Sequence, residues 1–253
     1  MLKTRIIPCL LLHNECLVKT VQFKKFNYIG DPANTFMIFN EIEVDELAFL
    51  DITASRENRG PNLKILQEIA DECFMPLSYG GGIRSVQTAE HIFSIGFEKI
   101  ILNTYPFEDV TIITELSKAF GSQSIIVAID VKRNFFGKYQ VCSHSGIVNR
   151  KRDPVEWAKA IEDQGAGEIL LTSIDREGTW KGFDIELTAR VAQAVSIPVI
   201  AHGGAGSVRH IGEAVKQGLA SAVALGSMVV YQGKDLGVLV NFPDRADLNN
   251  AID

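Results

Sequence analysis

The sequence lacks any uninterrupted apolar run of the roughly 18 residues that a membrane-spanning helix needs. Residues 1–5 lead directly into an apolar strand pattern, without the apolar region of a signal peptide. Both absences argue against a membrane protein and against a secreted one. The sequence therefore predicts a cytoplasmic protein.

Cysteine and histidine are scarce and unsuitably spaced for metal or redox chemistry. The four cysteines show no C-x-x-C spacing, and the five histidines lack the short spacings of zinc ligands. No motif for an organic cofactor accompanies them. We expect no metal and no cofactor, and free thiols in a reducing compartment. The residues concerned are Cys9, Cys16, Cys73, Cys142, His13, His91, His144, His202 and His210.

Positive charge is also in short supply. The chain has 25 Lys and Arg against 31 Asp and Glu, a net charge of −6. Such a balance gives no general attraction for nucleic acid or an anionic membrane, so any affinity for phosphate must come from local sites. With 253 residues and 46% hydrophobic residues the chain can bury one large core. We expect a single domain over residues 1–253, with a polar tail over 241–253 that frays.

One stretch occurs twice. Residues 79–85 read YGGGIRS and residues 202–207 read HGGAGS; each ends an apolar run that begins at a proline, and each precedes a helical pattern. A glycine turn before a helix N-terminus lets backbone N–H groups approach an anion, and phosphate is the expected occupant. A single copy would equally suit a tight strand-to-helix turn with no ligand. Two matched copies favour phosphate.

The repeat extends over much of the chain. Gly81 and Gly203 share their offset with Glu46 and Glu168 (168 − 46 = 122). Short apolar runs alternate with longer amphipathic ones, as in βα units around a parallel sheet. Eight units and the duplication predict an α/β fold, a closed (β/α)8 TIM barrel of two half-barrels. The predicted strands are 5–12, 46–52, 76–79, 98–103, 124–130, 167–172, 197–202 and 221–225; the predicted helices are 32–43, 61–73, 86–95, 107–119, 153–164, 184–195, 208–217 and 227–233.

Three aspartates follow predicted strands, at the face where the βα loops of such barrels gather and their reactive groups lie. They are Asp51, Asp130 and Asp175. A carboxylate at the mouth of an apolar barrel is partly desolvated, which raises its pKa and suits it to proton transfer. Asp130 is the preferred candidate because Lys132 and Arg133 beside it could hold an anionic substrate. For the other two, a structural role in their own loops is equally favoured.

Each glycine turn has polar neighbours at the next strand end, and two long loops, 13–31 and 131–152, lie on the same face. Two phosphate sites around one mouth suggest a long substrate with a phosphate at each end. Loops of this length often act as lids or binding loops, although the second could instead fold as a hairpin around residues 138–142. A lysine in the first loop could pair with one phosphate, although a solvated lysine is the commoner case. The predicted phosphate-binding residues are Gly81, Gly82, Asn103, Thr104, Gly203, Gly204, Gly226, Ser227 and Lys19.

Four charged residues stand at the opposite end of the predicted barrel, at the starts of strands 1, 2, 4 and 6. They are Arg5, Glu46, Lys99 and Glu168. Two positive and two negative side chains at these positions could close a ring of salt bridges over the bottom of the barrel. From the residues alone, a plug that stabilises the fold is the favoured interpretation.

With these residues in view, the chain closely resembles the cyclase subunit of imidazole glycerol phosphate synthase, one of the phosphate-binding barrels of histidine biosynthesis. The resemblance covers about residues 1–240. Its motifs are RIIPCL at 5–10, ELAFLDITAS at 46–55, GGGI at 80–83, GSQS at 121–124, AIDVKR at 128–133, GAGEILLTSIDR at 165–176 and HGGAG at 202–206.

The resemblance implies a partner and a path for ammonia. In that family a glutaminase subunit docks on the N-terminal face and releases ammonia, which passes a charged gate and the barrel interior. At the top it attacks a ribulosyl formimino carboxamide that carries two phosphates, which gives imidazole glycerol phosphate and an aminoimidazole carboxamide ribotide. The positions that match the gate are the four charged residues named above. By resemblance, the ring of salt bridges is also an ammonia gate.

The family uses two aspartates as acid and base, at the ends of strands 1 and 5. The second matches Asp130, but the first falls on Leu11, which cannot transfer a proton. Three further positions on this face depart from the family pattern: Thr20 replaces a glycine, Glu177 an aspartate and His202 a small residue. The further candidate substrate-site residues are Asp51, Thr172, Asp175, Glu177 and His202.

Loss of one carboxylate typically removes about 10²- to 10⁴-fold of acid–base catalysis. The combination resembles second-copy homologues in bacterial surface-polysaccharide (O-antigen) clusters, which look like ammonia carriers for sugar amidation and imply a glutaminase and a separate amidotransferase as partners. We therefore expect an ammonia-channelling synthase or lyase subunit diverted from histidine synthesis. One alternative is a working cyclase that tolerates Leu11, with Asp51 or Asp175 substituting. Another is a non-catalytic activator of the glutaminase that only binds a phosphorylated ligand.

Overall fold

The computed structural model describes residues 4–252, which form twelve strands and nine α-helices. The strands are β1 (Arg5–His13), β2 (Cys16–Val21), β3 (Lys24–Gly30), β4 (Leu47–Asp51), β5 (Leu77–Gly80), β6 (Lys99–Leu102), β7 (Ile125–Arg133), β8 (Tyr139–Ser143), β9 (Val148–Asn149), β10 (Glu168–Ser173), β11 (Val199–His202) and β12 (Ala222–Leu225). The helices are α1 (Pro32–Ile42), α2 (Leu63–Glu72), α3 (Val86–Ile95), α4 (Thr111–Phe120), α5 (Pro154–Asp163), α6 (Ile185–Ala192), α7 (Val208–Lys216), α8 (Ser227–Val230) and α9 (Arg245–Ile252).

Eight of the strands close a parallel barrel. Their order around it is β1, β4, β5, β6, β7, β10, β11 and β12, and β12 pairs with β1 to complete the circle. Each of these strands overlaps the strand predicted at its place. The predicted (β/α)8 fold is therefore confirmed, and the strand C-termini gather at one face of the barrel.

The barrel strands are buried on both faces, so their sequences read as continuous apolar runs. β7 is buried from Ile125 to Val131. Side chains at alternate positions enter two clusters: a large one between strands and helices, and a smaller one inside the barrel. The inner cluster comprises Ile7, Cys9, Leu11, Val18, Ala48, Ile101, Ile126, Ala128, Leu170, Ile200, Ala222 and Ala224.

Helices α3 and α7 begin where their capping serines predict. Ser85 Oγ accepts a hydrogen bond from Thr88 N at 3.2 Å, and Ser207 Oγ accepts one from His210 N at 3.4 Å. A cap of this kind stabilises a helix by about 1 kcal/mol. The predicted helix 107–119 begins only at Thr111 because a 3-10 turn precedes it, and the predicted helix 227–233 is the short α8. Within residues 4–252, none of the helices is long and apolar enough to cross a membrane.

Two β-hairpins extend the barrel at its C-terminal face. The first long loop contains β2 and β3, which continue antiparallel from β1, where the sequence predicted only an extended loop. The second contains β8 and β9, so of the two interpretations of this loop the structure has the hairpin. Both hairpins bind the loop after β10: Gln22 N donates to Glu177 O at 3.0 Å, and Arg133 N donates to Asp175 Oδ2 at 2.8 Å. The three segments together cover the mouth of the barrel.

The predicted fraying of residues 241–253 is wrong over most of its length. Residues 245–252 form α9, which packs against α7. Leu248 is buried, and a Cβ placed on Gly212 of α7 would lie 2.4 Å from Ala251 O. The polar composition of this segment gave no sign that Leu248 is buried, or that Gly212 lets the two helices approach closely. Asp253 lies outside the described residues.

Candidate functional site

A cavity of about 120 Å³ opens at the C-terminal face of the barrel. Its floor is apolar, formed by Leu11, Leu50, Ile101, Ala128 and Leu170. Polar side chains stand around this floor at the strand ends. Among the predicted site residues, those that line the cavity are Leu11, Asp51, Gly81, Gly82, Asn103, Thr104, Asp130, Thr172, Glu177 and His202.

Asp130 is the buried acid of the cavity. It is 8% exposed, and its Oδ2 accepts a hydrogen bond from Asn103 Nδ2 at 3.1 Å. Burial raises the pKa of this carboxyl to about 7, against the lowering effect of hydrogen bonds from Thr172 and Asn103. An acid with this pKa can hold or release a proton near neutral pH, which is what proton transfer requires.

Leu11 occupies the position in the first half that Asp130 occupies in the second. Leu11 pairs with Val18 of the first hairpin, as Asp130 pairs with Cys142 of the second. Its side chain is 6% exposed and belongs to the apolar cluster inside the barrel. The mouth of the barrel therefore has a carboxylate on β7 and a hydrocarbon surface on β1.

The first glycine turn faces the cavity. Gly81 and Gly82 line it beside Asn103 and Thr104, so the structure brings together all four predicted residues of this phosphate site. Thr104 Oγ1 donates to Asn103 Oδ1 at 3.3 Å and accepts from His144 N at 3.2 Å. Gly82 has a φ of +68°, and a Cβ there would lie 2.3 Å from Arg59 O. The glycine is thus required both for its backbone conformation and for the loop packed on it.

The second glycine turn borders a separate and much smaller cavity of about 10 Å³. Gly203, Gly204, Gly226 and Ser227 line it, and Glu177 and His202 form walls of both cavities. Gly204, with a φ of +107°, would place a Cβ 2.2 Å from Gly182 O, the counterpart of the contact made by Gly82. The two turns therefore share a backbone design but differ in the space in front of them.

Lys19 lies on β2 and is 2% exposed, so it is not the solvated lysine of the simpler interpretation. Its Nζ donates to Cys9 O at 2.7 Å, and a Cβ on Gly226 would lie 2.6 Å from this Nζ. Burial lowers the pKa of Lys19, while nearby Cys9 and Glu177 raise it. The structure places the ammonium beside the second glycine turn, where it is bound to the chain's own backbone.

Thr172 and His202 form a hydrogen-bonded pair at the ends of β10 and β11. Thr172 Oγ1 lies 3.1 Å from His202 Nδ1, and both side chains are buried. Burial, with the charge of Lys19, lowers the pKa of His202 to about 3, so its imidazole is neutral. Glu177 accepts a hydrogen bond from Phe23 N at 3.1 Å, and burial raises the pKa of its carboxyl.

The remaining two aspartates hold loops. Arg59 donates to both oxygens of Asp51, at 2.7 Å and 3.1 Å, and Thr53 and Ala54 add backbone bonds to Oδ1. Asp51 lines the cavity, but its carboxylate oxygens are hydrogen-bonded to residues of its own loop. Asp175 accepts a hydrogen bond from Arg133 N and does not line the cavity, so the structure does not place it in the predicted substrate site. Neither is arranged to replace the missing acid at position 11.

Several residues of the site were missed by sequence reasoning. Phe23, Phe26 and Ser145, from the two hairpins, line the cavity, and Arg59 fixes Asp51. Ser145 Oγ also donates to Ile52 O at 2.7 Å, which ties the second hairpin to the loop after β4. The one usable signal was the β-branched and apolar composition of residues 16–21, which indicates a strand in the first long loop.

At the opposite end, the four predicted charged residues form a closed ring. Arg5 donates to Glu46 Oε2 and Glu168 Oε2, each at 2.7 Å. Lys99 Nζ lies 3.0 Å from Glu46 Oε2 and 2.9 Å from Glu168 Oε1. The glutamates are buried, whereas 28% of the Arg5 side chain is exposed at the base of the barrel. Between this ring and the cavity lies the apolar inner cluster, so polar groups close both ends of an apolar interior.

A metal site receives no support from the arrangement of side chains. Over the described range 4–252, His, Cys, Asp and Glu residues form no group of three or more that could hold a metal ion. Several polar side chains of the cavity are instead hydrogen-bonded in pairs, such as Asn103 with Asp130 and Thr172 with His202, which suits an organic or phosphorylated ligand.

Comparison with known proteins decides the family. A model of the histidine biosynthesis protein family matches residues 5–235. A Pseudomonas aeruginosa (PAO1) protein, provisionally named imidazole glycerol phosphate synthase subunit HisF2, is 50% identical over 244 residues, which cover 96% of this chain and 97% of that protein. This chain belongs to the HisF family of histidine biosynthesis barrels. The predicted membership is confirmed.

Other HisF-like relatives match over nearly the full chain. A provisionally named subunit HisF3 of Vibrio vulnificus (YJ016) is 43% identical over 254 residues, 100% of this chain and 98% of the relative. Subunit HisF of imidazole glycerol phosphate synthase from Alkaliphilus metalliredigens (QYMF) is 42% identical over 231 residues, 91% and 92% of the two chains. The HisF-like architecture therefore extends over the whole barrel.

Proposed function

We propose that this HisF-like chain is an ammonia-channelling subunit that serves a reaction other than imidazole formation. Ammonia from a partner glutaminase at the N-terminal face enters through the ring of salt bridges and travels along the barrel interior to the phosphate-binding cavity. The observation that carries the proposal is the pairing of an intact ring at the base with Leu11 at the mouth. The base of the barrel keeps the charged ring that an ammonia channel needs, and the mouth lacks one of the two carboxylates of the acid–base pair.

The barrel interior favours neutral ammonia. The inner cluster offers hydrocarbon walls, and transfer of an ammonium ion from water into such surroundings costs far more than transfer of the neutral molecule. The ring of Arg5, Glu46, Lys99 and Glu168 closes the base with charged, hydrogen-bonded side chains. A rearrangement of Lys99, whose side chain is 16% exposed, would open a passage without disturbing the strands.

The chemistry at the mouth is limited to one titrating aspartate with space for substrate. Asp130 can accept or donate a proton near neutral pH, which suits a single proton transfer when ammonia attacks an electrophile. Ring closure with loss of a leaving fragment needs an acid and a base on different sides of the substrate. Leu11 supplies neither, and Asp51 is held by Arg59. We therefore propose that the nitrogen acceptor is a surface-polysaccharide sugar, amidated with a separate amidotransferase. The identity of this acceptor rests on the family resemblance.

The channel is tested at the ring. Lys99→Ala and Glu168→Ala should uncouple the partner glutaminase from nitrogen transfer, so that glutamate forms while ammonia escapes into solution. The measurement is the ratio of glutamate formed to ammonia captured in bulk by a coupled dehydrogenase, in the glutaminase complex. Lys118→Ala on the exposed side of α4 is the matched control. Unchanged coupling in both ring variants would contradict the channel.

A second candidate is a working imidazole glycerol phosphate synthase cyclase, favoured by the intact Asp130, Asn103 and first glycine turn. It is tested by loss of the bisphosphorylated ribulosyl formimino substrate, followed by absorbance, with excess ammonium salt at alkaline pH. Turnover by the unmodified chain would support the cyclase and contradict the diverted role. Turnover only in a Leu11→Asp variant would support a site released from histidine chemistry.

A further inference from the structure

The two glycine turns are equivalent in the duplicated chain, but only one has room for an anion. Gly81 and Gly82 open onto the mouth cavity of about 120 Å³, which residues of both halves line, whereas Gly203 and Gly204 border only a separate space of about 10 Å³. A cavity of roughly 10–15 Å³ holds one water molecule. A phosphate group has five heavy atoms and does not fit the second space.

The residues that fill the second site are identified by the internal offset. Position 202 corresponds to position 80 and position 177 to position 55 (202 − 80 = 177 − 55 = 122). The first half has Gly80 and Ser55 there, and both line the open cavity. The second half has His202 and Glu177, each at least 94% buried and each a wall of both cavities. Two small residues in one half are thus matched by two large ones in the other.

Both large side chains are fixed in place. His202 Nδ1 lies 3.1 Å from Thr172 Oγ1, and Glu177 Oε2 accepts from Phe23 N at 3.1 Å. His202 Nε2 would lie 3.9 Å from a Cβ on Gly226, so the ring reaches the strand that carries the other side of the turn. A ligand that spans both cavities would have to displace a buried imidazole and a buried carboxyl group.

The charges around the second turn also disfavour a phosphate. The buried cation at this turn is Lys19, and its ammonium is bound to Cys9 O and interacts with Glu177. The imidazole of His202 is neutral, and a Glu177 carboxylate would repel a phosphate next to it. The first turn borders the neutral side chains of Asn103 and Thr104, and the Asp51 carboxylate beside it is paired with Arg59.

We propose that the second anion site is closed by His202 and Glu177, so that the ligand of this barrel is a phosphate monoester anchored only at the first glycine turn. This deepens the proposed function and rests on it for the presence of a phosphorylated ligand. The opposite end of the ligand is uncharged and meets Thr172, His202 and Glu177. Such a ligand differs in class from the bisphosphorylated substrate that the family resemblance implies.

The test counts phosphate ions bound to the full chain. Equilibrium dialysis with radiolabelled inorganic phosphate should give one site per chain, and Thr104→Asp, which places a carboxylate at the first turn, should abolish it. His202→Ser should add a second site. In the same variant, affinity for the bisphosphorylated ribulosyl formimino substrate should rise at least about tenfold, since its second phosphate gains charge-assisted hydrogen bonds. His91→Ser, on the exposed face of α3, is the matched histidine control and should keep one site.

The unmodified chain decides the matter even if a variant fails to fold. Two phosphates bound by the wild-type chain, or an unchanged number of sites in a folded His202→Ser variant, would overturn the closed site and leave the ammonia channel untouched. Absence of any saturable phosphate binding would overturn both the inference and the phosphate site of the proposed function. Uncoupling of the partner glutaminase is measured separately, in the Lys99→Ala variant.

Discussion

The two halves of the barrel agree in their backbone and disagree in the side chains that face the ligand. Gly82 packs on Arg59 O and Gly204 on Gly182 O. A Cβ added at these glycines would lie only 2.3 Å and 2.2 Å, respectively, from these oxygens. In front of these turns, however, the first half leaves an open cavity and the second is filled. The contacts that hold a loop on a strand persist after duplication because any added atom would collide. Side chains at the mouth are free to change because they border space.

The base of the barrel shows a second asymmetry. Glu46 and Glu168 are equivalent and both belong to the ring. The two cations, Arg5 and Lys99, come from the first half alone; Ser221 lies at the counterpart of Lys99. A closed ring of four therefore depends on the two halves being different. The first half supplies three of the four ring residues and the glycine turn that faces the open cavity, and the second supplies Asp130 and the turn that is filled.

The shared backbone design predicts the largest effect. Gly82→Ala and Gly204→Ala should each lower the free energy of unfolding by about 4 kcal/mol, because the new Cβ meets a backbone oxygen at a residue with positive φ. Gly137→Ala is the control, since its φ is +78° but nothing lies within 4 Å of the added Cβ. It should cost about 1 kcal/mol. Urea denaturation followed by circular dichroism measures all three; a Gly204→Ala cost no larger than the control would break the equivalence.

Leu11 and Asp130 occupy equivalent positions, but only Asp130 can titrate. We therefore expect the second half alone to make the free energy of unfolding depend on pH at this position. The folded pKa of Asp130 is raised to about 7 from an unfolded value of 3.8. Between these values the folded chain binds more protons than the unfolded chain, so the stability contributed by protonated Asp130 is lost as pH rises towards 7. At about 1.4 kcal/mol per unit, Asp130→Asn should remove a fall of about 3 kcal/mol between pH 4.5 and 8.

The measurement is the difference in unfolding free energy between the chain and Asp130→Asn across this pH range. His202 acts in the opposite sense: its pKa is lowered to about 3, so stability is lost as pH falls below about 6.5, and the difference cancels this contribution. Leu11→Asn, the matched change in the first half, should leave the slope unchanged. A flat difference for Asp130→Asn would show that its carboxyl is ionised throughout.

The smallest expected effect is a difference in stability between a variant of the loop after β4 and a variant of the equivalent loop after β10. Arg59 binds Asp51 through both oxygens, whereas its counterpart Lys181 (181 − 59 = 122) is exposed. Arg59→Ala should cost about 2 kcal/mol because it leaves a buried carboxylate without its cation, although Thr53 and Ala54 still bind it. Lys181→Ala should cost less than about 0.5 kcal/mol. Thermal unfolding of the two variants measures the difference; equal losses would mean that the Asp51 clamp adds nothing to its loop.

The sequence by itself determined the barrel, because alternating apolar and amphipathic runs and an offset of 122 leave little choice of architecture. It also placed the ring at the base and Asp130 at the mouth, since strand ends can be read from apolar runs. It did not predict α9, the first hairpin or the clamp by Arg59, which depend on contacts between distant segments.

Only the tertiary structure decided which candidates share a site. Asp51 and Asp175 both follow strands, yet one is bound by Arg59 and the other lies outside the cavity. The two glycine turns read alike in sequence, and their difference appears only once Glu177, from the loop after β10, and His202, at the end of β11, line the space in front of one of them. The physical reason is that the period of a strand fixes which end and which face a side chain occupies, whereas packing between strands fixes the space left for a ligand.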